Sequence, residues 1–88
     1  MGLDTVEFVL WAEKKFGIDI PDEDVTHLYT VGEFCRYLAM ALAARDGLEA
    51  PGHDAIYQAV VECLVGEFKV QRDRIFHDSR FVRDLGLE

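Results

Sequence analysis

Leu3-Asp4-Thr5-Val6-Glu7-Phe8-Val9-Leu10-Trp11-Ala12-Glu13-Lys14-Lys15-Phe16-Gly17-Ile18-Asp19-Ile20-Pro21 decides how this chain begins to fold. Leu3, Val6, Val9, Leu10 and Phe16 recur at three- and four-residue spacing, the period of a helix with one apolar stripe. Asp4 and Glu7 sit like a capping pair in the first turn, and Gly17 marks a stop. The spacing therefore predicts a helix over residues 3–16. Pro21 holds Ile20 extended, so this helix cannot run on, and Asp22 to Leu28 reads as a short acidic helical turn.

Outward from that stretch, Thr30-Val31-Gly32-Glu33 is a capping box ahead of a stripe of Phe34, Cys35, Leu38, Ala41 and Leu42. The stripe predicts a helix ending at Arg45-Asp46-Gly47. Residues 47–53, with Pro51 and Gly52 among them, form the one linker-like stretch. Asp54 is placed to cap a further helix with the stripe Ile56, Val60, Leu64 and Phe68. A polar loop follows, with Val70, Ile75, Phe76, Phe81, Val82 and Leu85 expected as buried anchors. No segment alternates as a strand does, and no internal repeat is visible. The expected class is all-α, a four-helix bundle.

Composition sets the outer limits. Eighty-eight residues make one small domain, which on folding buries only about 60% of the surface its extended chain exposes. Half of the residues are apolar and 30% are charged, a balance that fits a packed domain and not a disordered one. Cys35 and Cys63 lie twenty-eight positions apart and outline no disulfide framework or zinc-ligand spacing. Both sit in helical stripes, where free cysteine behaves as a small buried hydrophobe. His27, His53 and His77 are isolated from any Cys/His/Asp pairing that would serve nucleophilic catalysis, so no enzyme is expected.

Seventeen acids against nine bases give a formal charge of −8, which excludes a nucleic-acid or anionic-membrane surface and favours a basic partner. The charge is uneven. Residues 1–54 carry four bases against eleven acids, a balance of −7, and residues 55–88 carry five against six, a balance of −1. The longest wholly apolar run, Leu38 to Ala44, is far short of a bilayer span. Met1-Gly2-Leu3-Asp4 lacks both a basic signal region and a myristoylation pattern, so the expected location is the cytoplasm. Asp19, Asp22, Glu23 and Asp24 lack the glycine and ligand spacing of a dedicated calcium loop, and no metal site is expected.

Three blocks carry a resemblance. Leu3-Asp4-Thr5-Val6-Glu7, then Phe16-Gly17-Ile18-Asp19-Ile20-Pro21-Asp22-Glu23-Asp24-Val25, then Thr30-Val31-Gly32, resemble the second, third and fourth helices of the acyl carrier protein family. Phe68-Lys69-Val70, Ile75, and His77 through Glu88 resemble the family's first helix and long first loop, which in the family runs into an Asp-Ser-Leu attachment motif. Here that block comes last. The chain therefore resembles a circularly permuted carrier, with family helices 2-3-4 followed by helix 1. On this reading residues 1–88 are a single domain: 1–46 hold family helices 2–4, 47–53 the linker, and 54–88 the first helix and loop. Permutation is tolerated where the original ends lie close together at the surface.

The resemblance also implies a loss. Gly2 stands where the family has the serine that carries 4′-phosphopantetheine, and the sole serine, Ser79, matches a position in the first loop. No cofactor is expected unless that serine is restored. Leu3, Asp4, Val6, Glu7 and Glu13 match positions with which the family docks basic-faced enzymes of fatty-acid and related acyl metabolism. Lys14 and Lys15 stand where the family has acids. Val9, Phe16, Ile20, Val25, Leu28 and Leu38 match the interior in which the family shelters an acyl chain, although an apolar stripe on its own terms is plain core. Trp11 and Ala12 alter residue sizes along that interior. The function expected is a non-covalent protein-interaction module. The alternatives are a genuine carrier whose serine was removed or lies outside this chain, and a domain-swapped structural dimer. A monomer is expected.

Overall fold

The computed structural model describes residues 3–88, with side chains from Asp4 onward. Among them the chain forms α1 (Leu3–Phe16), α2 (Asp22–Val25), α3 (Val31–Asp46) and α4 (His53–Gly66). Short 3-10 turns occupy Gly47–Glu49 and Arg72–Arg74, and a tail over residues 67–88 is otherwise irregular. The described residues contain no strand; one antiparallel bridge joins Thr30 to Arg80. The helical class and the four helices match the expectation from spacing.

α3 starts where local chemistry says it must. Thr30 Oγ1 accepts from the Glu33 amide at 3.1 Å, and Glu33 Oε1 accepts in return from the amides of Thr30 at 2.9 Å and Tyr29 at 3.1 Å. Those donors hold the Glu33 carboxyl below its usual range. Val31, Phe34, Cys35, Leu38 and Leu42 form the buried face of α3, and Ile56, Val60, Val61, Cys63 and Leu64 that of α4. Burial pushes the Cys35 and Cys63 thiols up to about 12, so both are unreactive core groups.

α1 departs from its expected stripe. The face turned inward carries Phe8 and Ala12, whereas Val6 and Leu10 are 40% and 48% exposed. α1 is apolar on both sides, so three- and four-residue spacing fits two faces equally well. The choice is made by the neighbours: the Phe8 ring lies 4.9 Å from Phe34, 5.1 Å from Phe81 and 5.6 Å from Trp11, centroid to centroid. At the other end of α1, Gly17 takes a left-handed φ of 65°. The Arg45 guanidinium, held by Asp46, donates to the carbonyls of Phe16 at 2.8 Å and Gly17 at 2.7 Å. α3 thereby satisfies the carbonyl end of α1.

Other boundaries also shift. The acidic helix is the single turn Asp22–Val25, shorter than expected, and α4 begins at His53 with Gly52 as its N-cap, so that Asp54 is a first-turn acid and not the cap. Asp4 lies inside α1, and its carboxylate accepts from the Glu88 amide instead of closing a cap with Glu7. In the tail Val70, Ile75, Phe81 and Leu85 are buried as expected, together with Leu87, but Phe76 and Val82 are 59% and 63% exposed. Irregular chain has no period, so nothing in the residue order distinguishes Phe76 from Phe81.

The tail closes the structure. The Val31 amide donates to the Ser79 carbonyl at 3.0 Å, Gly32 to His77 at 2.7 Å, and Phe81 to Tyr29 at 3.1 Å, while the Thr5 amide donates to the Glu88 carbonyl at 2.9 Å. The first-turn donors of α3 and α1 are thus supplied by one segment.

Two predictions follow from these contacts. A Cβ built on Gly32 would lie 2.8 Å from the His77 carbonyl oxygen, whereas one on Gly66 would meet nothing within 4 Å. Gly32→Ala should therefore destabilise by about 1–3 kcal/mol through overpacking, although the same change in an exposed helix stabilises by up to about 1 kcal/mol. Gly66→Ala should be neutral or stabilising; urea melts that rank Gly32→Ala above the parent chain would contradict the tail's position.

The second prediction concerns alkali. The Tyr37 hydroxyl donates to Asp24 Oδ2 at 2.7 Å and ties α2 to α3; burial first, then that hydrogen bond, push Tyr37 up to about 12. A raised phenol pKa favours the neutral form in the fold. Its stabilisation is complete below the unfolded value of about 10 and is lost as pH rises toward about 12. Tyr37→Phe should be less stable at neutral pH by about 1.5 kcal/mol, the lower range for a hydrogen bond to a charged group. The gap to the parent chain should close between these two pH values. Tyr57, also raised by burial, is present in both chains and cancels in the comparison.

Candidate functional site

The first turns of α1 form the candidate docking face, because the residues matched to docking positions gather there. Val6 and Glu7 are exposed and Asp4 is half-buried. Asp4 Oδ2 accepts from the Glu88 amide at 3.4 Å. Leu10, one turn below Val6, is exposed beside them and extends the apolar part of that face, for which the resemblance named only Leu3 and Val6. Glu13 stands apart in role. Its Oε2 accepts from the Ile20 amide at 2.8 Å, so the carboxylate fixes the α1–α2 turn. Lys14 and Lys15 are exposed in the last turn of α1. Gly2 and the Leu3 side chain, both named from the resemblance, lie outside the described residues.

Ser79 is 5% exposed. Its hydroxyl donates to the Arg74 carbonyl at 2.7 Å and accepts from the Phe76 amide at 2.9 Å, which makes it a brace inside the tail. The hydroxyl proton and one lone pair are thus used within the tail, and the buried oxygen is not presented as a nucleophile toward a phosphate.

Beside the docking face lies a pocket of about 400 Å³ between α1, α2 and the tail. Phe8, Val9, Val25, Leu28, Phe34 and Phe81 supply its apolar walls, and Thr5, Thr26, Tyr29, Arg80, Val82 and Arg83 complete its lining. Of the residues matched to the family's acyl interior, Val9, Val25 and Leu28 line it, Ile20 and Leu38 are buried in the core, and Phe16 packs against that core. Arg83 is paired with Asp84 at 3.2 Å. The Arg80 guanidinium lies 5.8 Å from the centroid of the Tyr29 ring. Reading the sequence missed the two arginines because their segment was taken as loop, although the three-residue spacing of Arg80 and Arg83 across a turn was visible. Nor did it single out Phe8, for which the four-residue step to small Ala12 was the available signal.

His53, Tyr57 and His77 stack, with ring centroids 4.2 Å apart for Tyr57–His77 and 5.5 Å for His53–His77. Among the described residues no group of three or more His, Cys, Asp or Glu is placed to hold a metal ion, and no helix is long and apolar enough to cross a membrane.

No family model matches the chain, and no solved structure matches it. Curated proteins do. It is 50% identical over 36 residues to an acyl carrier protein of Wolinella succinogenes, covering 41% of this chain and 47% of that protein. It is 51% identical over 39 residues to an acyl carrier protein of Acidothermus cellulolyticus, covering 44% and 46% respectively. The chain thus spans less than half the length of these relatives, whose name denotes a carrier and not a catalyst. Part of this chain, whose described residues are mostly helical and hold no strand, is similar to acyl carrier proteins.

Proposed function

We propose that this chain is a carrier-like docking module that engages its partners without a covalent arm. The observation that carries the reading is Ser79: the one serine of the sequence is buried with its hydroxyl committed on both sides. Gly2, at the position matched to the attachment serine, has no hydroxyl at all. The residues present therefore do not fit 4′-phosphopantetheine, and no chemistry is routed through it.

The contact between Glu88 and Thr5 supports a permuted arrangement. With Glu88 placed directly before Gly2, the bond from the Thr5 amide to the Glu88 carbonyl, 2.9 Å long, has the i→i−4 register of an α-helix. Glu88 then occupies the N-cap place of α1, as the Asp of Asp-Ser-Leu would. Alignments that stop short of half of each chain are also what swapped blocks produce, since a linear alignment can follow one block at a time.

The partners on this reading are basic-faced enzymes of acyl metabolism in the cytoplasm. Glu7 and Asp4 supply the charge, and Val6 and Leu10 the apolar contact. Glu13 contributes to the negative field, but its carboxylate is occupied by Ile20. Exposed acids steer encounter more than they hold a complex, so such docking should be fast and salt-sensitive.

The relatives' shared name favours a second reading, a working carrier. One experiment separates the two: incubate the chain with coenzyme A and a broad-specificity phosphopantetheinyl transferase, then measure intact mass and complex formation. The mass should stay unchanged while the transferase binds, with affinity falling about tenfold in Glu7→Lys and falling again as salt rises. A mass gain of one phosphopantetheine arm would reinstate the carrier.

A further inference from the structure

We infer that α1 pairs weakly and antiparallel with α1 of a second copy of this chain, Leu10 meeting Leu10 near a two-fold axis and each Glu7 facing Lys14 of the other copy. Helical spacing sets the strip that does this. Phe8 and Ala12 mark the buried side of α1. Val6, Leu10 and Lys14, at successive steps of four, run down the opposite side, with Glu7 beside Leu10. All four residues are exposed. The strip thus carries two apolar side chains, with an acid one turn before Leu10 and a base one turn after it.

Those charges choose the occupant. Glu7 and Lys14 make no ion pair among the described residues, whereas the Asp4 carboxylate holds the Glu88 amide and the Glu13 carboxylate the Ile20 amide. Glu7 and Lys14 stand two turns apart, about 10 Å along the helix, and their midpoint falls between Leu10 and Trp11. A two-fold axis at that point lays acid on base twice. A parallel pairing would set Glu7 on Glu7 and Lys14 on Lys14, and a uniformly basic surface would meet like charge at Lys14, so the whole strip is best matched by an antiparallel copy of itself.

The contact is small. Stable, specific interfaces bury about 1,200–2,000 Å² and one helix face from each copy buries less, so the pair should dissociate at about 0.1–1 mM. Pairing covers Val6, Glu7 and Leu10, the residues of the docking proposal, and so withholds the chain from its partners where it is concentrated. At micromolar concentration the chain is single and its docking can be measured separately, so failure of either reading leaves the other standing.

Sedimentation equilibrium from micromolar to millimolar concentration tests this, with circular dichroism to verify that each variant keeps its helices. The parent chain should approach a dimer. Glu7→Lys and Lys14→Glu should each weaken self-association about tenfold. An equimolar mixture of the two should associate at least as tightly as the parent, because acid again meets base twice, and the double variant should recover the parent's affinity. Net charge alone predicts the reverse for Glu7→Lys, which makes an acidic chain less negative. Leu10→Cys gives a second readout: near the axis it should cross-link to itself under oxidation, faster than Glu23→Cys at an exposed site on α2, while Cys35 and Cys63 stay buried. A parent chain monomeric throughout, a double variant no better than the singles, a Glu7→Lys chain that pairs more tightly than the parent, or a Leu10→Cys chain that cross-links no faster than Glu23→Cys would each overturn the inference.

Discussion

The first-turn N–H groups of α3 and α1 find acceptors on one piece of chain, residues 77–88. A helix start leaves such donors without partners inside the helix, and leaving them buried and unpaired costs about 1–3 kcal/mol each. His77 and Ser79 meet the need at α3, and Glu88 meets it at α1. The same segment sends Phe81, Leu85 and Leu87 into the core between them. Remove the tail and two helix starts and a third of the aromatic cluster lose their partners together. In a domain this small, no surplus core replaces them.

How much of this was legible follows from how local each feature is. α3 was readable because its cap and stripe lie within the element: Thr30 and Glu33 bond each other, and Val31, Phe34, Leu38 and Leu42 repeat at helical spacing. α1 was readable as a helix but not as a face. With Val6, Phe8, Val9, Leu10, Trp11 and Ala12 all apolar, the buried side was settled by Phe34 and Phe81, far away in sequence. The tail was least legible. Phe76 and Phe81 differ only in which side of an irregular path they fall, and that path is set by hydrogen bonds to α3.

The candidate site divides in the same way. Asp4, Val6 and Glu7 were named because the order of residues in α1 resembles a family, and the structure places them on one accessible stretch. Glu13 was named on the same ground, yet its carboxylate reaches across the turn to Ile20, a partner seven residues on that no spacing rule points to. Of the pocket only Val9, Val25 and Leu28 were named beforehand, through the resemblance; its tail wall, with Arg80 and Phe81, exists only where α1, α2 and the tail meet. Arg80 acquires meaning there through Tyr29, a neighbour by the bridge that joins Thr30 to Arg80.

On the proposed reading the tail and α1 are consecutive pieces of one carrier-like architecture, meeting in space at Glu88 and Thr5 and cut in sequence at that point. The most direct measurement is the thermal melt of a rearranged chain that begins at Gly52, runs to Glu88, continues through Gly2 and Leu3, and ends at Gly47. All four α-helices are kept, with Gly52 as the N-cap of α4 and Gly47 as the C-cap of α3; the Gly47–Glu49 turn is opened, and the only new bond joins Glu88 to Gly2. The account predicts a cooperative transition at or above the melting temperature of the original order, because the helical register across the junction is already in place. A rearranged chain that shows no cooperative transition would contradict it.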